Sequence, residues 1–287
     1  MRARILHTPD RALVEAFLER HADSSMILRG NLRDAGIEDD GSRYAGTYAG
    51  AFDDRGELRA VVAHYTHGNI FLQADDLTAL ELATRCSVAA SGRAVLGIIG
   101  SRNLVVHARG VLGLDDAPAR FDSDEGLYAL DLARLQLPPL ASDPDFELRA
   151  ITAGDVELVV GWRKIYEMEG LGSKDDEQLD THCRAMVELW LAQRFPILLT
   201  QRGVPCAMTM FNARMPDMRQ IGGVFTPVAL RSRGYARTAV ALSLIGARDE
   251  GVTRAILFTG EDNLPAIAAY RALGFERVGD FKLLLLA

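Results

Sequence analysis

Cysteine is scarce in this sequence. Cys86, Cys183 and Cys206 are widely spaced and odd in number, so neither a disulfide framework nor a metal-binding spacing is available. Their expected role is apolar filling, and a reducing cytoplasm is the compartment that fits. Basic excess is absent as well. The formal net charge is −7, and no run of five or more basic residues occurs, which argues against nucleic acid as a partner. No stretch approaches the roughly 20 apolar residues of a membrane-spanning helix. The opening "MRARILHTPDRALVEAF" lacks the continuous apolar segment of a signal peptide. What remains is an ordinary globular composition, 48% hydrophobic and 25% charged, able to form a core without staples. A chain of 287 residues has room for two domains of ordinary size.

Prolines cluster in "LPPLASDPDF". Pro138, Pro139 and Pro144 disfavour helix and sheet interior alike, so residues 137–146 are expected to link a first domain, 1–136, to a second, 147–287. In the second half, helices are expected over 156–168, after Asp155 as N-cap, and over 176–193, where Ser173-x-x-Asp176 resembles a capping box with Asp in place of Glu. Strands follow at 196–200, 204–211 and 218–225, then a helix, a strand at 254–260, a helix at about 264–273 and a terminal hairpin in "FERVGDFKLLLLA". The first half reads as a blurred copy: a helix at 11–21, strands at 46–52, 57–65 and 70–73, a helix at 76–91 and a strand at 94–100. "SRNLVVHARGVLGL" (101–114) and "EDNLPAIAAYRALGF" (261–275) share an Asn-Leu, a short helix and a Leu-Gly. The repeated order favours two copies of one fold. His64 and His67 have no further ligands nearby in the sequence, so no metal site is expected there.

The informative stretch is "VFTPVALRSRGYARTAV", residues 224–240. A strand hands over to a helix through a basic turn broken by glycine. A helix N-terminus carries unpaired N–H groups and partial positive charge, and phosphate binds there readily. Gly234 allows close approach and positive φ. Arg231 and Arg233 add donors suited to phosphate oxygens.

Residues Arg231-Ser232-Arg233-Gly234-Tyr235-Ala236 resemble motif A of the GNAT superfamily of acyl-CoA N-acyltransferases, Gln/Arg-x-x-Gly-x-Gly/Ala. Asn263 to Phe275, "N-x-x-A-x-x-x-Y-x-x-x-G-F", resembles the family's later motif. The match covers about 145–287. Ser232 departs from the glycine common at its position. The resemblance implies an α/β fold of two GNAT-like domains, each a mixed, mostly antiparallel sheet flanked by helices. It implies acetyl-CoA as cofactor, with the pyrophosphate on the backbone of Arg231, Ser232, Arg233, Gly234, Tyr235 and Ala236. The pantetheine arm would pair with the fourth strand near Phe225 and Thr226, where that strand splays from the fifth. It further implies direct transfer to an amine.

Tyr270 lies seven residues after the helix-capping Asn263, on roughly the same face. The resemblance puts it beside the coenzyme sulfur, where a phenol of ordinary pKa about 10 stays protonated and can act as general acid. Glu261 is a candidate base, and Glu167 and Glu169 are others; in the family the connection near those two often lines the acceptor site, which also makes them candidate substrate residues. Water carrying the proton outward is an equal alternative to a base. At the first half's equivalent junction stand Asp75 and Asp76, which cap a helix but repel pyrophosphate. That half is therefore expected to keep the fold without the coenzyme site. The expectation is an N-acetyltransferase acting on a small amine or exposed amino group; a coenzyme-binding or sensory module without turnover is the alternative.

Overall fold

Each half of the chain spells the same succession of elements. The first runs β1 (Arg2–Ile5), α1 (Arg11–Glu19), α2 (Met26–Ala35), β2 (Gly46–Phe52), β3 (Leu58–Tyr65), β4 (Asn69–Ala74), α3 (Leu77–Ser91), β5 (Gly97–Ser101), α4 (Arg102–Val111) and β6 (Ala119–Asp131). The second runs β7 (Phe146–Ala150), α5 (Val156–Leu171), α6 (Glu177–Gln193), β8 (Pro196–Gln201), β9 (Val204–Arg214), β10 (Met218–Phe225), α7 (Tyr235–Asp249), β11 (Arg254–Gly260), α8 (Leu264–Arg271) and β12 (Glu276–Leu286). The structure, a computed structural model, describes every residue except Arg43 and Phe195.

The pairing repeats too. β1 to β4 are joined antiparallel and β4–β5 parallel. β7 to β10 are likewise antiparallel and β10–β11 parallel. A parallel pair needs a crossover, and α3 and α7 supply it. The result is the expected α/β architecture of mostly antiparallel sheet flanked by helices. Among the described residues no helix is long and apolar enough to cross a membrane.

The chain divides into two compact units, residues 1–127 with 258–261 and 278–287, and residues 128–257 with 262–277. The division therefore does not fall at 137–146. Beside β5, the first unit carries the end of β12, antiparallel from Phe281↔Ser101 to Leu285↔Gly97. Beside β11, the second unit carries the end of β6, where the N–H of Leu132 donates to the Thr253 carbonyl at 2.8 Å. Prolines mark a break in regular structure, and a short 3-10 turn at Pro139–Ser142 fits that. They do not say which sheet a strand joins.

The terminal hairpin is also corrected. Residues 276–286 form one strand, and Gly279 within it does not take the positive φ of many hairpin turns. β6 escaped notice because its first half, "ARFDSDE", carries four charges in seven residues, a loop composition. The short strands β1 and β7 and the helix α2, which buries Arg29 and Gly30, were also missed.

In the second unit both sheet faces are covered. Ile221, Val240, Leu244, Leu257 and Phe275 form the core on the α7 side. Trp162, Val187, Trp190, Met208 and Phe225 form it on the α5–α6 side, where Cys183 is also packed. The first unit has its own core around Val62, Leu72, Leu80, Ile98 and Leu104, joined by Leu284 from β12.

Candidate active site

β10 and β11 start together and part early. They pair from Met218↔Arg254 to Gln220↔Ile256, and among the described residues the register stops there. β10 continues to Phe225 beside β9, with a register shift between Gly222 and Phe225. Gly223 takes φ +56° in that irregular stretch. The end of β10 therefore presents backbone groups with no β11 partner, which seek hydrogen bonds elsewhere.

Thr226 and Pro227 lead from this fork into a 3-10 turn, Val228–Leu230, and then into Arg231–Gly234 and α7. Gly234 is the N-cap of α7, at φ +83° with no side chain to satisfy the first-turn N–H groups. A Cβ there would meet nothing nearer than Leu140 Cδ1 at 3.6 Å, so the approach is open. Tyr235 fixes the helix start: its ring packs on Phe146 and its hydroxyl donates to Gln201 Oε1 at 2.9 Å. The Thr238 hydroxyl donates to the Gly234 carbonyl at 3.0 Å.

Ser232 sits at φ +62°, a region that costs an L-residue roughly 1 kcal/mol. Ser232→Gly is therefore expected to raise the unfolding midpoint by about 1–3 °C, less what glycine's freer unfolded chain takes back. Thermal unfolding measures it. A lowered midpoint would mean that the serine hydroxyl contributes more than the strain costs.

The arginines differ in their engagement. Arg231 Nε donates to the Thr226 carbonyl at 3.0 Å, its Nη2 reaches Glu169 Oε2 at 2.6 Å, and the guanidinium lies 5.9 Å from the Phe225 ring. Arg233 is exposed and donates to the Ala229 carbonyl at 3.3 Å. Arg237 was not singled out in the sequence. Its Nε is buried without a partner among the described residues, and its Nη2 lies 4.0 Å from where a Gly234 Cβ would be. Its place in the first turn of α7, three residues past the capping glycine, was the available signal.

Asn263 caps α8, its side chain accepting from the Ala266 N–H at 3.3 Å. Tyr270, half-buried two turns on, meets Phe275 edge-on with ring centres 5.9 Å apart. Burial raises the Tyr270 phenol above its ordinary pKa, and the Tyr166 phenol of α5 adds to the shift. Tyr166 is thus a neighbour that the sequence did not reveal. Gly274 takes φ +99°, and a Cβ there would stand 3.0 Å from the Arg134 carbonyl, so glycine is required where α8 ends.

The three carboxylates are all engaged. Glu261 belongs to the first compact unit and binds Arg102 Nη2 at 2.8 Å. Glu167 is buried against Arg163, with Ser173 Oγ at 3.4 Å. Glu169 holds Arg231. The structure therefore joins Glu169 to the basic turn, places Tyr166 beside Tyr270, and gives Glu261 and Glu167 to structural ion pairs. In the first unit, Asp76 caps α3 and Asp75 Oδ1 lies 2.7 Å from His21 Nε2.

The sheet forks at the parallel β10–β11 pair, and the glycine-capped start of α7 stands beside the fork. Residues 160–275 match the model of the acetyltransferase (GNAT) family. A mycothiol acetyltransferase of Corynebacterium glutamicum is 40% identical over 60 residues, 21% of this chain and 20% of that protein. Three solved structures share the fold along nearly the whole chain. A Drosophila malonogaster protein aligns with TM-score 0.67 at 12% identity, covering 99% of this chain and 98% of its own. A GCN5-related N-acetyltransferase from Sphaerobacter thermophilus gives 0.57 at 15%, covering 98% and 94%. A tandem GNAT protein from the clavulanic acid biosynthesis pathway gives 0.56 at 14%, covering 100% and 98%.

Proposed function

We propose that this protein is an acetyl-CoA-dependent N-acetyltransferase that transfers the acetyl group directly to a primary amine. The fork between β10 and β11 carries the reading. It leaves strand-edge backbone at Phe225 and Thr226 for the amides of a pantetheine arm, next to the open N-terminus of α7 for a pyrophosphate. Ser232 and Gly234, both at positive φ, turn the loop around that terminus. Arg231, Arg233 and Arg237 supply charge. Acetyl-CoA brings the activated thioester; the chain supplies position and proton transfer. With acetyl-CoA bound, the neutral amine nitrogen would form the new C–N bond as the C–S bond breaks, Tyr270 would give its proton to the departing thiolate, and the proton lost by the amine nitrogen would pass through water and restore the Tyr270 phenol. Glu261, tied to Arg102, gives up the part of base. Asn263 acts by fixing the helix that carries Tyr270. Glu169 meets a cationic acceptor only by giving up its pair with Arg231, and Glu167 stays in its buried pair with Arg163. The first unit, with Asp75 and Asp76 in place of a cradle, binds no coenzyme.

A panel of amines with acetyl-CoA, followed by thiol release, tests the reading. Turnover of at least one amine supports it; coenzyme binding without turnover of any amine favours the sensory module. Titration calorimetry on the full chain is expected to give one coenzyme A site. Gly234→Val is expected to weaken that site about tenfold or more, because a β-branched residue resists φ +83° and fills the approach. Equal affinity in parent and variant would place the cradle elsewhere.

A further inference from the structure

One buried amide makes no hydrogen bond with the rest of the described residues. Gln220 is fully buried, and neither its Oε1 nor its Nε2 has a hydrogen-bond partner among the described residues. An enclosed carboxamide left unpaired on both atoms is costly, and an apolar side chain of the same size would not be. Gln220 occupies the last position at which β10 pairs with β11, the root of the fork. Ile221 packs toward α7, so by strand alternation Gln220 and Gly222 face the α5 side. There Met208, Met210 and Phe225 pack with Trp162. Asn212 lies alongside. β9 bulges at Asn212, between Ala213 opposite Gln220 and Phe211 opposite Ile221, and a Cβ on Gly222 would overlap the Asn212 carboxamide.

We propose that Gln220, with Asn212 beside it, selects the acceptor by pairing with a neutral hydroxyl or carboxamide carried next to the reacting amine. The inference rests on the acetyltransferase reading. A carboxamide offers a donor and an acceptor and no charge. It matches a hydroxyl, which does the same, better than an ammonium or a carboxylate. The Gln220 amide is enclosed in the structure, so selection requires the acceptor's polar group to take the place of whatever covers it.

The test uses the full chain, acetyl-CoA and two probes of similar ring size, glucosamine and cyclohexylamine. The parent is expected to prefer glucosamine. Gln220→Met is expected to lower the ratio of kcat/KM for glucosamine over cyclohexylamine by at least about tenfold. The same variant should raise Tm by about 2–4 °C, because an unpaired amide is removed. Asn212→Ala, at an exposed position, is expected to lower the ratio with no rise in Tm. A fall in Tm for Gln220→Met would show that the amide is already satisfied and overturn the proposal. So would an unchanged ratio, or a parent that prefers cyclohexylamine. A parent that acetylates no amine in any panel fails the acetyltransferase reading itself, and that result comes before any variant is made.

Discussion

Tyr270→Phe is expected to lower kcat by about 10²-fold, at the lower end of what a general acid contributes. The substitution keeps the ring, its edge contact with Phe275 and its place against Ile267's neighbours in the α7-side core, and removes only the donor. Coenzyme A affinity should be unchanged, since the glycine-capped start of α7 is a separate element. The loss should fall on kcat more than on KM, because the donor acts on charge that develops in the transition state. The pH profile carries the same signature. As a general acid Tyr270 would work in its protonated form, and burial with Tyr166 beside it raises the phenol above its ordinary pKa. The protonated fraction therefore extends to higher pH, and no fall in kcat near pH 9–10 should arise from this group. Steady-state kinetics across pH, on parent and variant, measure both. A variant with parental kcat would take Tyr270 out of proton transfer; an alkaline fall near pH 9 that vanishes in the variant would show that the phenol is not shifted.

The local backbone of the candidate site was legible because it consists of local signals. Arg231 to Ala236 and Asn263 to Phe275 are short stretches whose residue types follow from a turn, a cap and a stop, and the structure places Gly234 and Asn263 at helix N-caps and Gly274 at positive φ. The carboxylates were not legible. Acidic residues look alike in sequence, and whether Glu261 is free depends on Arg102, 159 positions away. Tyr166 and Gln220 were missed for a similar reason: what distinguishes them is a neighbour, or the lack of one. The alternation that marks strands exposed most of the sheet. It failed at β6, where one strand is charged at its start and buried at its end, and it is silent about order. Local composition cannot reveal that β12 leaves the half in which it is encoded.

Deleting residues 278–287 is expected to abolish folding of the first compact unit, although the cut lies at the far end of the chain. The segment forms the sheet neighbour of β5, and Phe281, Leu284, Leu285 and Leu286 in it are each at most 8% exposed. Burying such side chains contributes about 1.5–3 kcal/mol each, an upper range because unfolded chains are partly compact. Four of them approach the roughly 5–15 kcal/mol that stabilises a domain. Removal also uncovers the β5 edge, whose unpaired backbone invites association. Lys282, which reaches Asp122 at 2.5 Å and Asp124 at 2.8 Å, adds little beside this burial. Leu284→Ala gives the graded version: Leu284 is fully buried in the first unit's core, and the substitution should cost about 2–5 kcal/mol. The same reasoning says that residues 1–136 alone, lacking β12, should not fold as the first unit does in the whole chain. Urea unfolding followed by circular dichroism tests the series. A truncated chain with the parental midpoint, or residues 1–136 folding alone as stably as in the intact protein, would show that β12 is dispensable to the first sheet.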